Sequence, residues 1–284
     1  MGEKHLNNED FKAFKRGFNQ VGIRENIHII KRYGYKYKLI RLNLCNMPGL
    51  TPDHEIIKAK KGTANDEKLQ NNLSRTKETV FQYAMCNSWT WFCTFTLSPV
   101  KYDRSNLKIF IKDLSQFIRN YRRKYEMDIK YLFIPELHKD KESWHFHGLI
   151  EGIPEECLRL FNQWDRTDTG MRIPVYLWQN GYYDWPDYRK KFGWCSLSPV
   201  RSAEGVAKYI TKYVSKDLGE SVTELNAKSF YSSRGLKKAE EIDRGYYTEY
   251  LPDSFFDYVG DYAACKWLSP DELRIVQSSL ISIK

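Results

Sequence analysis

The sequence lacks the features of several common protein classes. Its six cysteines, in 284 residues, include no Cys-x-x-Cys pair, which argues against a zinc cluster or a disulfide framework and favours reduced thiols. No apolar run approaches the ~18 residues that a membrane-spanning helix requires. No Gly-x-x-x-x-Gly-Lys-Ser/Thr phosphate loop is present, so we expect no helicase activity from these residues. These absences predict an intracellular protein without a membrane partner.

What the sequence has in excess is positive charge and aromatic side chains. The formal net charge is +9, and aromatic residues make up 15% of the chain. This balance favours nucleic acid as the partner over an anionic membrane surface. Many of the aromatic side chains fall in residues 164–195, where they can either stack on unpaired bases or pack as an ordinary core.

Hydrophobic periodicity predicts alternating helices and strands in the middle of the chain. Helices are predicted over Leu73–Met85, from about Ser105 to Tyr121, and over Ala203–Leu218, with Gly219 placed to end the last one. Strands are predicted over Trp91–Leu97, Tyr131–Leu137 and Trp144–Glu151. A short polar turn joins the last two strands, which therefore form an antiparallel hairpin.

Less regular patterns predict the remaining elements. They are a short helix over Glu9–Phe18, a strand pair within Ile27–Leu44, a loop or linker over Ile56–Asn72, a short helix starting at Pro154, a hairpin of Val175–Trp178 with Tyr182–Trp185 joined by Asn180-Gly181, and a capped helix starting at Ser269.

Two histidines lie on one face of the strand predicted at Trp144. His145 and His147 are separated by one residue, so their side chains point to the same side of the sheet. In the predicted hairpin Glu136 lies near their level, and its carboxylate is a candidate third ligand for a divalent ion. His138, two residues further on, is the competing candidate. An ordinary pair of histidines on a sheet face is the alternative interpretation.

Two tyrosines and two lysines share one stripe of the helix predicted at Ala203. Tyr209, Lys212, Tyr213 and Lys216 stand at i, i+3, i+4 and i+7. A phenolate can attack phosphorus, and a nearby lysine can lower the pKa of the phenol and neutralise phosphate oxygens. The alternative is an amphipathic helix with half-buried tyrosines and lysines that extend to solvent.

The three motifs together resemble those of the HUH endonuclease superfamily. Phe92 to Leu97, then His145-Phe146-His147, then Tyr209 to Lys216 are similar to its three motifs in their order along the chain. Within the superfamily the chain resembles the rolling-circle replication initiators (Rep proteins) of bacterial phages and plasmids. The doubled tyrosine is most similar to the two-tyrosine initiators of small single-stranded-DNA phages. The resemblance covers about residues 73–220. It divides the chain into an accessory segment (1–72), an endonuclease domain (73–220) and a packed extension (221–284).

The resemblance implies an α+β fold and a metal-dependent enzyme. A central antiparallel sheet of the ferredoxin or RNA-recognition type would carry the histidines, with flanking helices and the tyrosine helix packed across it. His145 and His147 would be metal ligands, with Glu136 as the third and His138 as its competitor. The ion would be Mg²⁺ or Mn²⁺; this ligand set suits Mn²⁺ better.

The implied reaction is nicking and joining of single-stranded origin DNA through a 5′-phosphotyrosine. Tyr209 and Tyr213 would be the nucleophiles, assisted by Lys212 and Lys216. A host helicase and polymerase would act with the protein in the bacterial cytoplasm. Alternatives are a transposase or relaxase of the same superfamily, a non-catalytic single-strand-binding module of the RNA-recognition type, and, least favoured, a structural zinc protein.

Overall fold

The structure is a computed structural model of the chain. It describes residues 23–24, 27–42, 45–46, 66–167, 170–215, 218–219, 221–222, 227–247, 251–260 and 263–282. The helix predicted over Glu9–Phe18 lies outside these residues. None of the described helices combines the length and the apolar character that a bilayer crossing requires.

Strands and helices are numbered here in chain order. The strands are β1 (Ile23–Arg24), β2 (Ile27–Tyr33), β3 (Lys36–Leu42), β4 (Cys45–Asn46), β5 (Trp91–Thr96), β6 (Lys130–Leu137), β7 (Trp144–Glu151), β8 (Arg159–Leu160), β9 (Tyr183–Asp184), β10 (Cys195–Pro199), β11 (Tyr231–Ser232), β12 (Glu240–Tyr247), β13 (Tyr258–Val259), β14 (Ala263–Leu268) and β15 (Leu280–Ser282). The helices are α1 (Asp66–Met85), α2 (Leu107–Tyr125), α3 (Val175–Gln179), α4 (Pro186–Lys191), α5 (Ala203–Ile210) and α6 (Pro270–Ser279). Three 3₁₀ turns lie at Glu155–Cys157, Thr211–Tyr213 and Asp253–Phe255.

The fold is α+β, as predicted, with two large antiparallel sheets. The chain divides into a larger unit, Ala59–Lys238, and a smaller unit, Met1–Lys58 with Ala239–Lys284. The larger unit contains a seven-stranded sheet in the order β11-β6-β7-β5-β10-β9-β8. The smaller unit contains a six-stranded sheet in the order β13-β14-β3-β2-β12-β15.

Four strands of the larger unit form the frame of the candidate site. They lie in the order β6-β7-β5-β10, with each neighbouring pair antiparallel. Strand β5, helix α2 and strand β6 form a crossover around β7, which is a split βαβ unit. This strand order is the one found in ferredoxin-like and RNA-recognition folds, so β7 lies inside the sheet with a neighbour on each side.

The two faces of this sheet differ because the strands alternate in burial. Along β5, Trp91, Cys93 and Phe95 are buried, whereas Phe92, Thr94 and Thr96 are only partly buried. The buried face packs against α2 and α4 through a continuous aromatic core. We call the opposite, partly buried side the front face of the sheet.

Several predicted elements are confirmed. The structure contains the strands predicted near Trp91, Tyr131 and Trp144, the antiparallel hairpin between the last two, and the strand pair β2–β3 within Ile27–Leu44. Helices α1 and α2 match the predictions at Leu73 and Ser105, and α6 has the predicted capping box at Ser269.

The predicted hairpin around Asn180-Gly181 is wrong on its first side. Val175–Gln179 is helix α3, and Gly181, with φ of +68°, lies in the turn after it. The same Asn-Gly pair that marks a hairpin also serves a helix C-terminus, because both need a residue at positive φ. Leu177, which is fully buried, anchors the helix.

Three other boundaries differ from the prediction. The loop predicted over Ile56–Asn72 is wrong from Asp66 onward, where α1 begins. The short helix predicted at Pro154 is a single 3₁₀ turn, Glu155–Cys157. The helix predicted over Ala203–Leu218 ends at Ile210 and continues as a 3₁₀ turn, and Gly219 is itself helical.

Candidate active site

Three side chains converge on the front face of the hairpin formed by β6 and β7. Glu136 is the direct cross-strand partner of His145, and His147 follows two residues later on the same face. Glu136 Oε2 lies 2.9 Å from His145 Nε2 and 2.8 Å from His147 Nε2. One ligand atom from each of the three lies within 4.8 Å of the others, so the three can hold one metal ion. We call these residues the triad.

The chemistry of the triad fits a divalent ion. Two imidazole nitrogens and a carboxylate oxygen are donors that Mn²⁺ and Mg²⁺ accept. His138, the competing candidate, lies just beyond β6, with its ring centroid 5.8 Å from that of His145. The structure thus brings Glu136, and not His138, together with both imidazoles.

The electrostatics of the triad favour an ionised carboxylate and a neutral imidazole. Burial tends to raise the pKa of Glu136, but hydrogen bonds with His145 and His147 outweigh it and lower the pKa to about 2. Burial lowers the pKa of His147 below its ordinary value, which favours the neutral imidazole at pH 7. An ionised carboxylate and a neutral imidazole are the forms that bind metal.

The two tyrosines lie beside this triad at the end of α5. The Tyr213 ring is stacked on the His147 ring, with centroids 3.9 Å apart and planes 16° apart. The Tyr213 hydroxyl donates a hydrogen bond of 2.9 Å to the Tyr209 hydroxyl. Phe92, on the front face, contacts both rings, with its centroid 5.2 Å from that of Tyr209. The helix and the sheet therefore meet where the sequence predicts the two motifs to meet.

The end of α5 explains why the tyrosines differ in exposure. Thr211 Oγ1 donates to the Lys208 carbonyl, a local bond that competes with helix continuation. The following 3₁₀ turn places Tyr213 against His147, whereas Tyr209 remains 44% exposed. Burial, together with the hydrogen bond to Tyr209, raises the pKa of the Tyr213 phenol.

Of the two lysines in the stripe, the structure describes only Lys212. Lys212 is exposed, and its Nζ lies 5.6 Å from the centroid of the Tyr209 ring. It is therefore close to one of the proposed nucleophiles. Lys216 lies outside the described residues.

Two residues of the site were not predicted to act there. Thr94 Oγ1 lies 3.2 Å from His147 Nδ1, on the side of the ring that faces away from Glu136. The Phe92 ring packs against the rings of both tyrosines. The alternation of the strand placed both side chains on the front face, but only the cross-strand register Thr94↔His147 reveals the contact.

Comparison with known proteins agrees with this arrangement. Residues 90–218 match the family model described as Replication-associated protein ORF2/G2P. The matched span is somewhat less than half of the chain and contains the triad and both tyrosines. The similarity supports a replication initiator of the Rep type, which acts on DNA. The chain matches no curated protein and no solved structure.

Proposed function

We propose that this protein is a rolling-circle replication initiator of the HUH type, which nicks and joins single-stranded origin DNA through a 5′-phosphotyrosine. The observation that carries the proposal is the position of two phenol groups beside a triad suited to metal. Tyr213 stacks on His147, and Tyr209 lies within hydrogen-bond distance of Tyr213. The match to the replication-associated family supports the choice of DNA as the substrate.

The metal centre of this enzyme consists of Glu136, His145 and His147. Mn²⁺ or Mg²⁺ is the expected ion, and when bound it supplies charge neutralisation at the scissile phosphate. With an ion bound at Nε2, the proton of a neutral His147 would lie on Nδ1. Thr94 Oγ1, 3.2 Å away, would then accept a hydrogen bond from Nδ1–H and orient the ring.

The tyrosines act as the nucleophiles in the chemical step. The phenol oxygen forms a bond to phosphorus, the bond from phosphorus to the 3′ oxygen breaks, and the leaving strand takes the proton as a free 3′-OH. The phosphodiester energy is kept in the phosphotyrosine, so the reverse step joins ends without ATP. Because the two hydroxyls are 2.9 Å apart, either can reach one phosphate in successive rounds. Lys212 and Lys216 neutralise the phosphate oxygens.

The remaining features follow from this function. The catalytic domain comprises residues 73–220, flanked by an accessory segment and an extension. Unwinding and extension of the nicked strand require a host helicase and polymerase. The protein acts in the bacterial cytoplasm for a phage or plasmid.

A non-catalytic single-strand-binding module is the second candidate function. The strand order β6-β7-β5-β10, which RNA-recognition folds share, favours it. Such a module binds DNA without metal and forms no covalent product. Covalent chemistry therefore separates the two candidates.

The test is incubation with labelled single-stranded oligonucleotides of mixed sequence and Mn²⁺, followed by a denaturing gel. Wild type is expected to form a covalent DNA adduct. Tyr209→Phe and Tyr213→Phe are each expected to retain adducts, reduced about tenfold by loss of the partner hydroxyl. The double variant is expected to form none, and Tyr258→Phe, an exposed tyrosine of the smaller unit, is the matched control. Adducts that persist in the double variant would end the assignment.

A further inference from the structure

A pocket of about 630 Å³ opens on the front face next to the triad. His147, Tyr209 and Tyr213 form one end of it, so the pocket and the proposed site of the reaction share a boundary. From there it extends across β5 and β10. Its volume lies in the range of small-molecule sites, ~300–1,000 Å³, which is large enough for a single nucleotide.

The floor of the pocket carries hydroxyl groups. Ser196 and Ser198 on β10 line it beside Thr94, and Ser196 is the direct cross-strand partner of Thr94. Thr94 is engaged with His147, but the side chains of Ser196 and Ser198 form no hydrogen bond to other described residues. A hydroxyl can both donate and accept, so these two serines can pair with the polar edge of any base.

The walls of the pocket are aromatic. Tyr176 and Tyr182 meet edge to face, with centroids 5.8 Å apart, and Tyr176 is 54% exposed. Trp194 lines the pocket immediately before β10, and its ring is stacked on that of Phe161, with centroids 5.3 Å apart. Aromatic side chains in such a position bind unpaired bases by stacking, a contact worth about 1–3 kcal/mol per base.

The rim of the pocket adds a positive charge. Arg201 lines it just before α5 and is exposed. An exposed guanidinium at the mouth of an aromatic pocket is suited to a backbone phosphate. Stacking aromatic walls and a cationic rim are the features that single-strand-binding sites combine, and the hydroxyl floor adds hydrogen-bonding groups.

We propose that this pocket binds one unstacked nucleotide of the DNA strand, adjacent to the phosphate that the tyrosines attack. Tyr176 and Tyr182 stack on the base, Ser196 and Ser198 contact its edge, and Arg201 binds its phosphate. The inference rests on the proposed function for the position of the scissile phosphate, but binding of the base does not depend on the covalent step. The pocket thereby holds the base that stands next to the nick.

Binding is tested in the Tyr209→Phe/Tyr213→Phe background, where no covalent step occurs. Fluorescence anisotropy compares oligo(dA), oligo(dC) and oligo(dT) with an abasic strand of equal length, each of about 12 nucleotides. The background protein is expected to bind at least one base-bearing strand about fivefold or more tightly than the abasic strand. Tyr176→Ala is expected to bring this ratio close to one. Tyr258→Ala, which removes another exposed tyrosine, is expected to leave it unchanged.

Two further variants probe the floor and the rim. Ser196→Ala/Ser198→Ala is expected to change the order of affinity among the three base-bearing strands, with Ser115→Ala on α2 as control. Arg201→Ala is expected to weaken all strands alike, the abasic one included, and to reduce the salt dependence by about one phosphate contact.

The results separate this inference from the proposed function. An unchanged ratio in Tyr176→Ala, or a background protein that does not distinguish bases from abasic sites, overturns the nucleotide pocket even if wild type forms adducts. A ratio that depends on Tyr176, in a protein whose wild type forms no adduct, retains the pocket and removes the nicking function.

Discussion

His145 and His147 differ in what surrounds the ring nitrogen that faces away from Glu136. His147 Nδ1 lies 3.2 Å from the Thr94 hydroxyl, whereas His145 Nδ1 is buried without a hydrogen-bond partner among the described residues. A partner at that nitrogen fixes the tautomer and the orientation of a metal-binding imidazole. His147 is therefore the better oriented of the two candidate ligands, and we propose Thr94 as its positioning residue.

Thr94→Val tests this role because valine keeps the shape and the strand preference of threonine but removes the hydroxyl. The affinity for Mn²⁺, measured by calorimetry, is expected to fall about 10- to 100-fold. Thr96→Val is the matched control, since Thr96 lies on the same face of the same strand and pairs with His145. Equal Mn²⁺ affinity in the two variants would contradict the positioning role.

The carboxylate of Glu136 gives a prediction about pH in metal-free protein. Its folded pKa of about 2 is below the ordinary 4.5, so its contribution to stability is present above pH 4.5 and is lost as the pH falls towards 2. We expect wild type to exceed Glu136→Gln in free energy of unfolding by at most about 1 kcal/mol at pH 6, because the carboxylate is partly exposed and screened. Urea unfolding in EDTA is expected to show that the difference in free energy of unfolding between wild type and Glu136→Gln disappears as the pH falls from 4.5 to 2. A difference that grows over this range would contradict the prediction.

At the scale of elements, strand β7 carries Gly148 directly after His147, and this glycine is the cross-strand partner of Phe133 on β6. A Cβ on Gly148 would lie 2.3 Å from Phe133 Cδ1 and 2.6 Å from the Leu132 carbonyl oxygen. The carbonyl belongs to the backbone of the neighbouring strand and cannot move aside without disturbing the hairpin. Gly148 therefore sets the close approach of the two strands that carry the triad.

Gly148→Ala is expected to destabilise the protein by about 1–3 kcal/mol through overpacking. It should also weaken Mn²⁺ binding, because His147 is the adjacent residue. Gly205→Ala is the control: its Cβ would meet Ser202 at an ordinary 3.5 Å inside helix α5. Denaturant unfolding measures the stability of both variants. A Gly148→Ala protein as stable as wild type would contradict the prediction of overpacking.

Elements with a strong local pattern were predictable from the sequence, and those decided by context were not. The alternation in β5 and the hairpin of β6 and β7 follow from side-chain periodicity alone, and so does the meeting of His145 with Glu136. The end of α5 at Ile210 depends on the Thr211 bond to Lys208 and on the stacking of Tyr213 on His147, neither of which periodicity contains. The helix at Val175 depends on burial of Leu177 against Phe161 and Ile173.

At the scale of the whole molecule, the candidate functional residues named here all lie in one unit. The triad, the tyrosine pair and the proposed nucleotide pocket all lie within Ala59–Lys238. The six-stranded sheet of the smaller unit pairs β3 with β14 and β2 with β12, so it joins segments from opposite ends of the chain. Pairing across such a separation has no local sequence pattern, which is why the sequence predicted the β2–β3 pair but not its partners.

The net charge of +9 and the match to a replication-associated family both point to DNA, but neither identifies the chemistry. The central claim is that Tyr209 and Tyr213 form the covalent bond to DNA beside a metal held by Glu136, His145 and His147. The proposed nucleotide pocket positions the DNA strand relative to that bond.

Mass spectrometry of the wild-type adduct tests this claim most directly. The protein is incubated with single-stranded oligonucleotides and Mn²⁺, digested with protease and nuclease, and searched for peptides that carry a nucleotide. A nucleotide is expected on the peptide that contains Tyr209 and Tyr213, and none is expected when EDTA replaces Mn²⁺. A nucleotide on any other peptide, or an adduct of equal yield in EDTA, would contradict the claim.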